Sequence, residues 1–283
     1  MKSKNRSIFI ISFLVLPLIH LIIFSYVPII GNFVLSLTNW KGFGDIQFIG
    51  MRNYQRMFTN TEYIKMFKNC GWYFLAAIPQ LIFALLLAVV INGKFRGLNV
   101  FKGILIIPYL LNGVIISTIF IIFFNNGGSL NAILEWLHLD GLKHQWLQDL
   151  KLVNPAIASI SIWRYYGMNF IMFFGALQAI PTELFEAATL DGCTKWQEIR
   201  YISIPFIRKV LFINILLSVS GSIQVFEIPY IMMNGSNGTG TPVIMIQQSM
   251  STNRVGFAAA LSVMVFVIVL IVVGLQKLLV KED

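Results

Sequence analysis

The chain has 283 residues, of which 57% are apolar and only 12% charged, and its mean hydropathy is +0.76. A soluble globular domain carries about 25% charged residues, so this composition argues against a water-solvated globular fold and points to lipid as the main solvent. The formal charge of +9 does not mark a nucleic-acid binder, because Lys and Arg stand at the ends of apolar stretches, where they set orientation in a bilayer.

The first element follows Lys2, Lys4 and Arg6 and is apolar over 8–35. It opens as a signal peptide does, but Pro17 and Pro28 interrupt it and no small-x-small cleavage site follows, so it is expected to stay as a first span. A bilayer core about 30 Å thick takes about 20 helical residues. Five further stretches meet that length: 70–91, 103–124, 155–178, 210–232 and 256–276. Between them, Met51, Tyr54, Met57 and Phe58 recur at helical spacing, as do Tyr63, Ile64 and Phe67, and each set predicts a short helix lying on the membrane surface. A third amphipathic piece covers 130–139, and the Gly/Ser/Asn-rich 235–240 predicts a turn before the last span.

With both termini inside, the inner segments hold Lys2, Lys4, Arg6, Lys94, Arg96, Lys102, Lys195, Arg200, Arg208, Lys209, Lys277 and Lys281. The outer segments hold Lys41, Arg52, Arg56, Lys65, Lys68, Lys143, Lys151 and Arg254. The inner set is larger although its segments are shorter, which favours cytoplasmic termini. Cys70 and Cys193 then fall on opposite sides of the bilayer and cannot pair. The whole chain, 1–283, reads as one all-α membrane domain with outer loops at 36–69 and 125–154 and an inner loop at 179–207.

That inner loop is unusually structured. Pro181 suits the first turn of a helix, where its missing N–H costs nothing. Glu183 lies near the positive end of the helix dipole. The helix covers 182–190, with Ala187 and Ala188 as small residues that let another surface approach, and Gly192 stops it. Thr194 and Gln197 form a capping box for a second helix with apolar Trp196, Ile199, Tyr201 and Ile202. This helix is expected to end before Pro205. Physics alone leaves two readings: a helix pair packed on the inner leaflet, or a docking element for a partner.

Glu186-Ala187-Ala188, then Gly192, then Ile204-Pro205 resembles the EAA loop of membrane subunits of binding-protein-dependent ABC importers. Phe48-Ile-Gly50-Met-Arg-Asn53-Tyr54, Trp163-Arg164, Gly175-Ala-Leu-Gln178, Ile180-Pro181, Phe226-Glu227-Ile-Pro-Tyr230 and Ala258-Ala-Ala260-Leu-Ser262 extend the likeness to the carbohydrate-uptake branch, of the maltose and glycerol-phosphate permease type. The chain departs from the pattern at Cys193, where alanine is common, and at Asn234-Gly-Ser-Asn-Gly, which lacks the frequent Gly-Gly-Pro.

The resemblance implies an ABC type I importer transmembrane-domain fold with six transmembrane helices in a bacterial cytoplasmic membrane. It implies that the first helix of the loop seats in a groove of an ATPase subunit. Glu183, Glu186, Ala187, Ala188, Asp191 and Gly192 are the coupling residues, with Glu186 facing a basic partner and Gly192 giving the bend. The implied partners are a second, related permease subunit, two ATPase subunits, an extracytoplasmic solute-binding protein and a carbohydrate substrate. No cofactor belongs to this chain, since ATP and Mg are bound by the ATPase subunits.

Two charges stand inside spans: Arg164 and Glu227. A charge at a helix centre costs about 2.5–3.5 kcal/mol on the insertion scale, so it faces protein or water. Either the pair is structural, or both line a translocation cavity. In the second case Asn112, Asn169, Gln224 and Glu227 hydrogen-bond sugar hydroxyls while Tyr165, Tyr166 and Tyr230 stack on a ring. No phosphate-binding Gly-x-x-x-x-Gly-Lys-Ser/Thr loop occurs, Asn92-Gly-Lys94 being too short a fragment, and no nucleophile-elbow or metalloprotease motif is present. The rival to an ATP-driven importer is an ion-coupled carrier, which needs Glu227 to take up the ion and leaves the inner loop unexplained. An intramembrane enzyme lacks any catalytic set.

Overall fold

The computed structural model describes residues 2–91 and 96–279, with side chains from 11 to 278. Lys94 and Lys281 of the inner set therefore lie outside the described residues. The first span is α1 (Lys2–Leu21), one π turn and α2 (Val27–Ser36). The π turn ends with the Val27 N–H donating to the Ile22 carbonyl. Pro28 follows at once and has no N–H for the ladder, so the widened turn sits where an α-helical bond is missing.

The short α3 (Arg52–Thr59) appears where Met51, Tyr54, Met57 and Phe58 predict it. The second surface helix does not. Tyr63, Ile64 and Phe67 belong to α4 (Thr61–Val90), a single 30-residue helix that begins well before the apolar span and encloses Pro79. Nothing between 67 and 70 stops it: no glycine intervenes, and Asn69 spends its side-chain amide on the carbonyls of Gly238 and Gly240.

The third span is broken rather than continuous. It divides into α5 (Leu98–Leu110) and α6 (Gly113–Phe124), bent by 89°. Pro108 removes one N–H from the last turn of α5, Leu111 is extended, and the Asn112 side chain accepts from the Val114 N–H to start a new helix at 2.8 Å. Next come α7 (Ser129–Trp136) and α8 (Val153–Gln178), which bends by 71° into α9 (Thr182–Leu190). After α9 come α10 (Lys195–Glu198), a π turn at Ile199–Ser203 and α11 (Ile204–Phe206). The helix thus runs past Pro205 instead of ending before it. As in the first span, a π turn absorbs the defect: the Ile204 N–H donates to the Ile199 carbonyl.

The fifth span is also broken, into α12 (Arg208–Ile223) and α13 (Glu227–Met233), with Phe226 out of helical geometry. The carbonyl of Val225, freed at the break, accepts from the Thr241 hydroxyl at 2.8 Å. Residues 235–240 turn as expected, with Asn234, Gly235, Asn237 and Gly238 all at positive φ. They lead not into the last span but into an unpredicted α14 (Pro242–Ser251), and α15 (Val255–Leu279) then crosses. Among the described residues four helical stretches, α12 with α13 counted as one, are long and apolar enough to cross a bilayer, and the number rises to six if each of the two bent pairs is one span.

Contacts divide the chain into two units. In the first, Met1–Tyr63 with Met245–Val267, the expected outer-loop signature ties down the end of the first span. The buried Asn53 amide donates to the carbonyls of Ser36 and Thr38, and the Tyr54 hydroxyl donates to Ser36 Oγ at 2.7 Å. The Gly256 N–H donates to the Trp40 carbonyl at 2.9 Å, and a Cβ at 256 would overlap the Thr38 carbonyl.

The second unit, Ile64–Ile244 with Ile268–Asp283, is built around α8. One buried cluster joins Tyr73, Ile116, Ile157, Ile160 and Ile228. The other joins Ala84, Ala88, Phe170, Phe173, Leu177 and Ile207. Lipid tails are as apolar as leucine, so packing rather than hydrophobicity holds helices together here. The small residues show it. Ala84 and Ala88, one turn apart on α4, are wholly buried, and Gly167 brings α8 against the Leu105 carbonyl of α5 so closely that a Cβ would overlap it.

Candidate functional site

Arg164 projects from the middle of α8, and Glu227 opens α13. Arg164 Nη1 donates to Glu227 Oε2 at 2.8 Å, with the arginine side chain 13% exposed and the glutamate 47%. The other carboxylate oxygen accepts from the Gly113 N–H at 3.1 Å, at the N-terminus of α6. A helix N-terminus favours negative charge. A Cβ at position 113 would overlap the Glu227 carboxyl group, so a larger residue there displaces that side chain. One carboxylate thus holds together the broken third span, the fourth span and the broken fifth.

Beside this pair is a cavity of about 620 Å³. Of the residues expected on the path, Arg164, Tyr165, Asn169, Gln224 and Glu227 line it. Asn112 and Tyr230 do not: the first is spent capping α6, and the second stacks on Phe226 with ring centroids 4.7 Å apart. Tyr166 packs against the apolar cluster around Phe170. Lining residues that the sequence reading missed include Tyr73, Gln80, Tyr109, Ser161 and Ser220. Their signal was present. Tyr73, Ala77 and Gln80 share one face of α4 at spacings of four and three, as do Ser161, Arg164, Tyr165, Met168, Asn169 and Met172 on α8.

The cavity is poor in completed hydrogen bonds. Tyr73 Oη, Asn169 Nδ2, Arg164 Nε and Ser220 Oγ are buried and have no hydrogen-bond partner among the described residues. All four can donate, and a buried donor without a partner costs about 1–3 kcal/mol. A site of this size with convergent polar groups among apolar walls is suited to a small polar ligand or to water.

The second candidate region is the α9–α10 pair. The helix expected over 182–190 forms with those bounds, and Pro181 stands one residue ahead of it as the N-cap rather than in its first turn. Its end is a Schellman motif. The Cys193 N–H donates to the Ala188 carbonyl at 2.9 Å and the Gly192 N–H to the Thr189 carbonyl at 3.1 Å, with Gly192 at φ +75°. The Thr194–Gln197 capping box starts α10. Lys195 pairs with the buried Glu198 at 2.8 Å, which braces the turn.

Glu183, Glu186, Ala187, Asp191 and Gly192 are exposed, whereas Ala188 is buried against its own unit. Only Ala187 of the two alanines is free to meet another surface. Leu184 and Leu190 are exposed alongside it, Leu190 to 89%.

The "Probable ABC transporter permease protein YurN" of Bacillus subtilis (strain 168) is 29% identical over 279 residues, spanning 95% of this chain and 94% of its own. The arabinooligosaccharides transport system permease protein AraP of the same organism is 28% identical over 269 residues, spanning 93% of this chain and 83% of its own. The fold matches a chain in the crystal structure of a bacterial alginate ABC transporter in complex with alginate pentasaccharide-bound periplasmic protein. That match has a TM-score of 0.84 at 23% identity and covers 97% of this chain and 94% of the other. Residues 80–282 match the family described as binding-protein-dependent transport system inner membrane component, and the chain belongs to it.

Proposed function

We propose that this chain forms half of the translocation path of an ATP-driven sugar importer in a bacterial cytoplasmic membrane. Its single permease domain has both termini in the cytoplasm. The observation that carries this reading is the cavity, whose unpaired donors and Arg164–Glu227 pair stand within otherwise apolar helices. A carbohydrate, rich in hydroxyl acceptors, completes the bonds that Tyr73, Asn169 and Ser220 leave open, and Tyr165 offers a ring face. The name of AraP supports the same substrate class.

Energy enters from outside the chain. Two ATPase subunits, which bind the ATP and Mg, grip α9, where exposed Leu184, Ala187 and Leu190 supply an apolar contact and Glu183, Glu186 and Asp191 supply charge. The Schellman turn and capping box make the pair rigid enough to act as a lever between two states. A second, related permease completes the path, and an extracytoplasmic binding protein delivers the solute. The rival carrier mechanism asks Glu227 to take up an ion, but that carboxylate is already committed to Arg164 and the Gly113 N–H.

A photo-crosslinking residue at position 187, in intact cells, tests the coupling. The expected product joins this chain to a nucleotide-hydrolysing polypeptide. Uptake that continues after deletion of every such polypeptide overturns the reading.

A further inference from the structure

We propose that a cleft at the Ser36 end of the first span binds the phosphate headgroup of an anionic phospholipid. The cleft has a volume of about 240 Å³ and lies within the first unit. Lys41, Arg52, Arg56 and Arg254 line it, together with Trp40 and Asn253, and no carboxylate does. None of the four cations forms an ion pair among the described residues.

The backbone that carries three of the cations is fixed by bonds already described. Arg52 and Arg56 are one turn apart on α3, and Asn53, between them, anchors that helix to the carbonyls of Ser36 and Thr38. Arg254 is brought up to the loop because the Gly256 N–H donates to the Trp40 carbonyl. Four like charges held together without a counter-ion repel one another, and an anion relieves them. The planar guanidinium forks match phosphate oxygens in pairs.

The surroundings select a lipid as the source of that phosphate. The cleft opens where the apolar spans stop, between the last residue of α2 and the first of α15. Phe43, Phe48, Met51 and Phe58 flank it on the same loop and helix, each 58–76% exposed. Basic groups among exposed aromatic and thioether side chains at the end of a span form an interfacial lipid site, with cations at the headgroups and apolar rings in the acyl boundary. An acidic protein surface would pair with the arginines but leave those side chains in water.

The test uses the full-length chain, extracted in mild detergent with whatever subunits accompany it. Phosphatidylglycerol or phosphatidylcholine is titrated in, and bound lipid is read by native mass spectrometry. The expected result is a clear preference for phosphatidylglycerol. Each basic group near an anionic headgroup strengthens binding about fivefold, so Arg52→Gln/Arg56→Gln/Arg254→Gln together lowers phosphatidylglycerol affinity about 100-fold. The charge-preserving triple change to lysine keeps most of the preference and shows that the fold survives, and Lys143→Gln/Lys151→Gln elsewhere changes nothing. Equal binding of the two lipids overturns the proposal. So does displacement of phosphatidylglycerol by excess inorganic phosphate, which makes the cleft a site for soluble anions. A glutamine triple that keeps its lipid but loses capture of an extracytoplasmic protein overturns it in favour of protein docking.

Discussion

Glu227→Gln removes one charge and little else. The glutamine oxygen can still accept from the Gly113 N–H, so the bond to α6 survives while the attraction to Arg164 is lost. Breaking a fully buried ion pair costs about 3–5 kcal/mol, and an exposed pair is worth about 0.2–1 kcal/mol. Here the arginine is 13% exposed and the glutamate 47%. The cost therefore falls between the limits, at about 1–3 kcal/mol. For a chain of this size, Tm drops by about 2–4 °C per kcal/mol, which is within reach of tryptophan-fluorescence melting of the purified protein in detergent.

The sign of the coupling is the sharper test. Arg164→Gln alone leaves a carboxylate that keeps the Gly113 N–H and cavity water, so it costs less than Glu227→Gln. The double variant has no stranded charge and is more stable than the sum of the singles predicts, by about 1 kcal/mol or more. Additivity within about 0.3–0.5 kcal/mol refutes the pair as a structural tie. Uptake at equal expression separates the second role: a folded Glu227→Gln protein with unchanged uptake refutes the cavity assignment.

Gly167→Ala forces a methyl group into the Leu105 carbonyl and is expected to cost about 1–3 kcal/mol or more, seen as lost folded yield. Gly175→Ala meets nothing within 4 Å and is expected to be neutral or slightly stabilising in the same assay. Thr194→Ala removes the capping box and is expected to cost about 1 kcal/mol locally, with hydrogen exchange rising over 195–198 before any other segment. Lys143 bonds Asp140 at 2.8 Å and Glu135 at 3.1 Å, and these two bonds raise its pKa above the ordinary value of 10.5. A raised folded-state pKa contributes stability that is fully present below 10.5 and is lost as pH climbs through the higher value. Melting of wild type relative to Lys143→Gln is therefore expected to be flat at neutral pH and to converge only in strong alkali.

The spans were legible because a bilayer imposes a length, and apolar runs of that length are hard to mistake. Helix 182–190 was legible because its stop signals are local: Gly192 at the turn, then Thr194 and Gln197. Where the signal was a proline, the inference was only half right. Pro205 was read as the end of a helix, yet a π turn carries the chain past it, as another does before Pro28. The sequence marks the defect but not the response, because the widened turn is stabilised by the carbonyl five residues back rather than by any distinctive side chain. The surface helix expected around Tyr63 failed for a related reason. Its amphipathic spacing was real, but amphipathicity says which face is buried and not whether the helix stops.

The breaks in the third and fifth spans had no reliable local sign, and they are what build the site. In hydrocarbon every freed backbone group needs a partner. At the third span, part of the answer is nearby, in the Asn112 cap, but the Gly113 N–H is satisfied by Glu227. At the fifth, the Val225 carbonyl is satisfied by Thr241. Partners so far apart in sequence carry no periodicity that a reader can see. The same breaks turn Glu227 toward Arg164, so a charge that looks costly in each helix alone becomes the tie between them. This explains why the sequence could flag Arg164 and Glu227 as misplaced in lipid and leave a structural pair and a cavity lining as alternatives, where the structure makes them both. It also explains why Asn112, flagged for its polarity, serves the break rather than the cavity that the break helps to form.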